Sequence, residues 1–157
     1  MLKWLWLSVV IIVLDQVSKL YIDQAFTLYQ QKPVIDGFFN LTLAYNKGAA
    51  FSFLADENGW QRWLFTGLAV IVSGVIFYWL KGLKKREKIT AISLSLILGG
   101  AIGNVIDRIA YGHVIDFLDF HYQQYHYPAF NIADSAITIG AALLIFHTLF
   151  GKHEDTD

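Results

Sequence analysis

The 157-residue chain contains no cysteine. That absence excludes disulfides, thiol nucleophiles, cysteine-ligated metals and a lipidated cysteine on the chain itself. Charge is scarce as well: 16% of residues are charged against 55% hydrophobic and 16% aromatic, and mean hydropathy is +0.44. A soluble domain carries more charge and less aliphatic content. The net charge is −1, so no excess of either sign points to nucleic acid or an acidic partner. The five histidines, His113, His121, His126, His147 and His153, form no H-E-x-x-H or comparable ligand pattern. No internal repeat and no low-complexity segment is visible. With redox chemistry silent, the compartment must be read from membrane signals.

Four apolar runs supply them, at about 2–22, 63–80, 89–109 and 132–150, each near the ~20 residues that a bilayer-crossing helix needs. The first has Lys3 before an apolar stretch, as a signal peptide would. It continues past Asp15 and Gln16 to Ile22 without a small-x-small cleavage site, so it reads as a retained helix. The chain is therefore expected to be one integral membrane domain, 1–157. Trp4, Trp6, Trp63 and Trp79 fall near span ends, where indole rings prefer the interface. "KGLKKREK" (81–88) joins spans two and three and carries Lys81, Lys84, Lys85, Arg86 and Lys88; Lys3 and Lys152 fall on the same side. The opposite loops, 23–62 and 110–131, hold only Lys32, Lys47 and Arg62. By the positive-inside rule both termini face the cytoplasm and the two larger loops face outward.

In that arrangement the polar residues of three spans lie at one depth, just below the outer surface. They are Asp15, Gln16, Ser18 and Lys19 in the first span, Asn104, Asp107 and Arg108 in the third, and Asn131, Asp134 and Ser135 in the fourth. Ionisable groups within a membrane face a bundle interior or a wet cavity and mark a site. In the first outer loop, "FFNLTLAYNKGAAFSFL" (38–54) alternates apolar and polar residues, which predicts a hairpin turning at Asn46-Lys47-Gly48, with Ala49, Phe51 and Phe53 on the returning arm. Asp56 or Asn58 would cap a short surface helix. In the second, an extended 114–121 segment puts Asp116 and Asp119 on opposite faces, so only one is expected to point inward. Pro128 favours an extended Tyr127 ahead of the last helix. The charged tail after Gly151 is expected to fray.

Two carboxylates in a partly desolvated pocket share one proton, because like charges at close range cannot both ionise cheaply. The neutral acid polarises a carbonyl while the ionised one activates water, and neither thiol, metal nor histidine is needed. Asp116 and Asp134 are the candidates. Asn131 lies three residues before Asp134 on one helix face, and Asn104 and Arg108 share a face in the same way. Simpler roles compete at each position: a helix-start acid for Asp134, a solvated loop acid for Asp116, an ion pair for Asp107–Arg108, an i,i+4 pair for Asp15–Lys19, a turn for Asn46. Ser18 and Lys19 are adjacent and point about 100° apart on a helix, which disfavours a serine–lysine pair. Ser135 has neither a lysine nearby nor a nucleophile elbow. Gly99, Gly100 and Gly103 suggest close helix packing. A proton-coupled carrier would use the same acids as relays, but no inverted repeat supports it.

Taken together these residues resemble the bacterial lipoprotein signal peptidase (signal peptidase II) family. The similarity runs through "LDQVSK" (14–19), "NKGAAFS" (46–52), "GGAIGNVIDR" (99–108), "GHVIDF" (112–117) and "PAFNIADSAI" (128–137), in the family's order. The resemblance implies a four-transmembrane-helix bundle, an all-α membrane fold with a small outward-facing β-cradle and a short surface helix, in the bacterial cytoplasmic membrane. It also implies an aspartic endopeptidase that cleaves diacylglyceryl-modified prolipoproteins before the lipidated cysteine. Asp116 and Asp134 match the catalytic pair. Asn46, Asn104, Arg108 and Asn131 match polar residues around the site, and Asp15 matches the acid of the first-helix motif. Membrane lipids and the cyclic peptide antibiotic globomycin are implied partners, and no cofactor is.

Overall fold

The computed structural model describes residues 1–48 and 59–151. Each of the four apolar runs is helical. A 3-10 turn, Leu2–Trp4, leads into α1, Leu5–Ala25; α2 is Trp60–Gly82, α3 Lys88–Tyr111 and α4 Ile132–Phe150. All four are long and apolar enough to cross a bilayer. α3 is the central helix, packed against each of the other three and alone largely buried. Gly100 and Gly103 allow that packing. A Cβ on Gly100 would run into the Ala133 carbonyl of α4, and one on Gly103 would stand 2.7 Å from the Asp15 carboxylate of α1. Small residues let membrane helices approach where Leu or Ile would hold them apart.

At the end of the bundle away from the basic 81–88 connection lies an antiparallel sheet of four strands in the order β1-β2-β3-β4. These are Gln31–Ile35, Phe39–Asn46, Val114–Tyr122 and Tyr125–His126. Two apolar clusters bracket the polar layer. Ile76, Leu80, Leu83, Ala91, Leu94 and Leu98 pack towards the basic connection, and Ile22, Leu43, Ile115 and Phe117 pack under the sheet.

The sheet leaves one expectation open and corrects another. β2 forms where the alternation places a strand, but among the described residues its partners are β1 and β3. The returning arm at 49–53, and the short helix capped at Asp56 or Asn58, lie outside the described residues, as does the tail beyond 151. The turn chemistry is present: Gly48 has φ of 99°, and its N–H donates to Asn46 Oδ1 at 2.8 Å. The correction concerns Asp119. It lies on the face of β3 opposite Asp116, yet both are buried. Asp119 accepts from Asn40 Nδ2 at 3.0 Å and pairs with His126 Nδ1 at 2.8 Å, so that face has polar partners of its own.

Candidate active site

One extra residue in β2 decides what faces Asp116. Leu41 pairs with Leu118, but Ala44 pairs with Asp116, so β2 carries a bulge between them. A bulge re-aims every side chain beyond it. In the unbulged register Asp116 would oppose Leu43, and Asn46 would point to the other face of the sheet. With the bulge, Asn46 lies diagonally across from Asp116 and donates through Nδ2 to Asp116 Oδ2 at 3.1 Å.

Asn131 serves Asp116 from the other side. It is the N-cap of α4: its Oδ1 accepts from the Asp134 N–H at 2.9 Å, the usual arrangement by which a cap satisfies a free helix N–H. Its Nδ2 donates to Asp116 Oδ1 at 2.7 Å and also lies 3.2 Å from Asn104 Oδ1 and the Ile115 carbonyl. Asn104 faces Asp134, donating through Nδ2 to Asp134 Oδ1 at 2.7 Å. Asp116 and Asp134 are thus joined by two asparagine amides, each carboxylate receiving a donor from α3 or from the cap of α4. Asp116 is only 2% exposed. Its burial, and then the Asp134 charge, push its pKa up to about 7 against the opposing pull of Asn46, Lys19 and Asn131. A carboxyl held there exchanges a proton near neutrality, as acid–base catalysis requires.

Beneath this pair sits the buried ion cluster of α1 and α3. Lys19 bonds Asp15 Oδ2 at 2.7 Å, Asp107 Oδ2 at 2.9 Å and Asn104 Oδ1 at 3.0 Å. The i,i+4 pair of Asp15 and Lys19 is therefore present, whereas Asp107 pairs with Lys19 and not with Arg108. Adjacent helical side chains diverge, and Asp107 turns into the bundle. Arg108 contacts the Asn104 carbonyl at 3.4 Å, its guanidinium stands 5.8 Å from the Phe65 ring, and it forms no ion pair among the described residues. Beside Asp134 an open groove of about 310 Å³ runs along α4, lined by Tyr127, Phe130, Ser135, Thr138 and Ile139.

The family profile for Signal peptidase (SPase) II matches residues 7–150, nearly the whole chain. The chain belongs to the signal peptidase II family. Among curated relatives, the lipoprotein signal peptidase of Pseudomonas putida is 60% identical over 98% of this chain and 91% of its own. That of Cupriavidus necator is 55% identical over 94% of this chain and 83% of its own. A solved bacterial membrane enzyme superposes with a TM-score of 0.83 at 31% identity, covering 98% of this chain and 94% of that one. This signal peptidase II is thus a multi-pass bacterial membrane peptidase. Of the residues marked in its sequence, Asp116, Asp134, Asn46, Asn104 and Asn131 meet in one network, with Asp15 below it and Arg108 at its edge. Sequence reasoning placed Lys19 and Gln16 in the polar layer but gave neither a role beside the carboxylate pair. Their signal was the "LDQVSK" block itself, where Gln16 and Lys19 lie three apart and share a helix face with Asp15 close by.

Proposed function

We propose that this signal peptidase II removes signal peptides from diacylglyceryl-modified prolipoproteins, cleaving on the N-terminal side of the lipidated cysteine, with Asp116 and Asp134 as its catalytic pair. The whole chain, 1–157, forms one integral membrane domain with cytoplasmic termini, and the sheet and site face outward. The observation that carries the assignment is the pair of amide bridges, Asn131 and Asn104, through which the two carboxyls meet. The names of the close relatives supply the substrate class.

One aspartate of the pair is ionised and takes a proton from water, and that water attacks the scissile carbonyl. The other, neutral, donates a hydrogen bond to the carbonyl oxygen, and a proton passes to the leaving amine as the C–N bond breaks. Asn46, Asn104 and Asn131 orient the carboxyls, Arg108 offers a cation at the edge, and Asp15 supports from below. The apolar groove along α4 suits lipid-embedded parts of a substrate, and globomycin would compete for the same site.

The test is cleavage of a lipidated precursor peptide by purified protein. Asp116→Asn and Asp134→Asn should each lose at least about a hundredfold in kcat, the lower range for a missing acid or base. Asp119→Asn, on the opposite face, should keep kcat within about threefold. Near-normal turnover by either of the first two removes that residue from the pair.

A further inference from the structure

Lys19 is the most deeply buried cation in the described chain, 1% exposed, and the proteolytic chemistry just outlined makes no use of it. An ammonium has three N–H donors. Here they have three acceptors, Asp15 Oδ2, Asp107 Oδ2 and Asn104 Oδ1. What each acceptor does next is informative. The other oxygen of Asp15 accepts the Ala133 N–H at 2.9 Å, on the residue immediately before Asp134. Asp107 Oδ2 accepts the Ile115 N–H at 3.0 Å, on the residue immediately before Asp116. Asn104, its Oδ1 occupied by Lys19 at 3.0 Å and by Asn131 Nδ2 at 3.2 Å, presents its amide N–H to Asp134. Gln16 ties the two acids together, donating to Asp107 Oδ1 at 2.8 Å and to Asp15 Oδ2 at 3.2 Å.

We propose that Lys19 is a positioning residue for the reaction: one buried ammonium that, through Asp15, Asp107 and Asn104, sets the backbone beside both aspartates and the amide orientation between them. The inference rests on Asp116 and Asp134 being the reacting pair. Arg108 is a second cation whose charge acts on both Asp134 and Asp116, but its hydrogen bond goes to the Asn104 carbonyl, whereas the acids held by Lys19 bond the backbone of both segments, the start of β3 and the first turn of α4. Removing the ammonium leaves Asn104 Oδ1 with only the 3.2 Å contact from Asn131 Nδ2, so the amide that donates to Asp134 is held less firmly.

The test uses full-length protein with the lipidated precursor. Lys19→Met keeps an unbranched side chain one atom shorter and removes all three donors, but leaves two buried carboxylates without their cation. Lys19→Met/Asp107→Asn restores the wild-type net charge of the cluster, so at least this double variant should fold. For either folded variant kcat should fall about a hundredfold, the scale expected when reacting groups are misplaced by an ångström. KM should change less than threefold, and the limbs of the pH–rate profile should move. Wild-type kcat per folded molecule with an unmoved profile would overturn the inference, as would failure of both variants to fold, since Lys19 would then be a structural residue only. Asp116→Asn and Asp134→Asn run alongside. If either is active, the catalytic pair itself is wrong; if both are dead and the Lys19 variants are normal, only the positioning role is lost.

Discussion

At Asp116, burial and a neighbouring carboxylate act in the same direction, and both favour the neutral form. Its pKa rises from 3.8 to about 7, so between those values the folded protein binds a proton that the unfolded chain has released. Stability from this group is fully present below about 3.8 and is lost as pH rises through about 7. The melting temperature of Asp116→Asn, which cannot ionise there, should therefore gain on that of the wild type between pH 5 and pH 8. Thermal unfolding in one detergent at both pH values measures it, and a constant difference would mean Asp116 is not held neutral. If the pair works with one shared proton, kcat/KM, which follows the free enzyme, should also fall on the alkaline side as pH passes about 7. A profile flat from pH 6 to pH 9 would contradict that.

At the scale of elements, close contact between α3 and α4 sets the depth of the site. Gly100 faces the Ala133 carbonyl one residue from Asp134, and Gly103 faces Asp15. Gly100→Ala should push α4 away and reduce both folded yield and activity, since overpacking a tight contact costs about 1–3 kcal/mol. Gly74→Ala in α2, where an added Cβ meets nothing within 4 Å, should leave both unchanged. Equal behaviour of the two variants in a thermal-shift and cleavage comparison would show that the approach of α3 to α4 is not tight.

The helices were legible because runs of about twenty apolar residues have few alternatives, and the polar layer because charge in such runs is rare. β1 was not legible: all five of its residues are exposed, it contains Pro33, and no alternation marks it. Nor was the bulge in β2, a one-residue shift that leaves the hydrophobic alternation of 38–54 intact while reversing which face Asn46 takes. Asp119 was misjudged because alternation implies one solvated face, whereas Asn40 and His126 cover that face here. Asp107 followed Lys19, a partner 88 positions away that no local spacing reveals.

Across the whole molecule, charge is separated from chemistry. The basic connection between α2 and α3 lies at one end of the bundle and the sheet with the two carboxyls at the other. If the positive-inside rule governs insertion, the sheet end is outside. The cysteine-free chain makes this simple to check with single thiols. In intact spheroplasts a membrane-impermeant maleimide should label Gln124→Cys, in the β3–β4 turn, and spare Lys84→Cys. Labelling in the reverse pattern would invert the topology.

The groove beside Asp134 has Tyr127, Phe130 and Ile139 on its walls and opens along an exposed flank of α4. If α4 crosses the bilayer, as its length and composition allow, a compound reaching the carboxyls by that route dissolves in hydrocarbon before it meets the enzyme. Its dose is then set by molecules per lipid and not by molecules per litre, and extra detergent in an assay dilutes it even when the aqueous volume is unchanged.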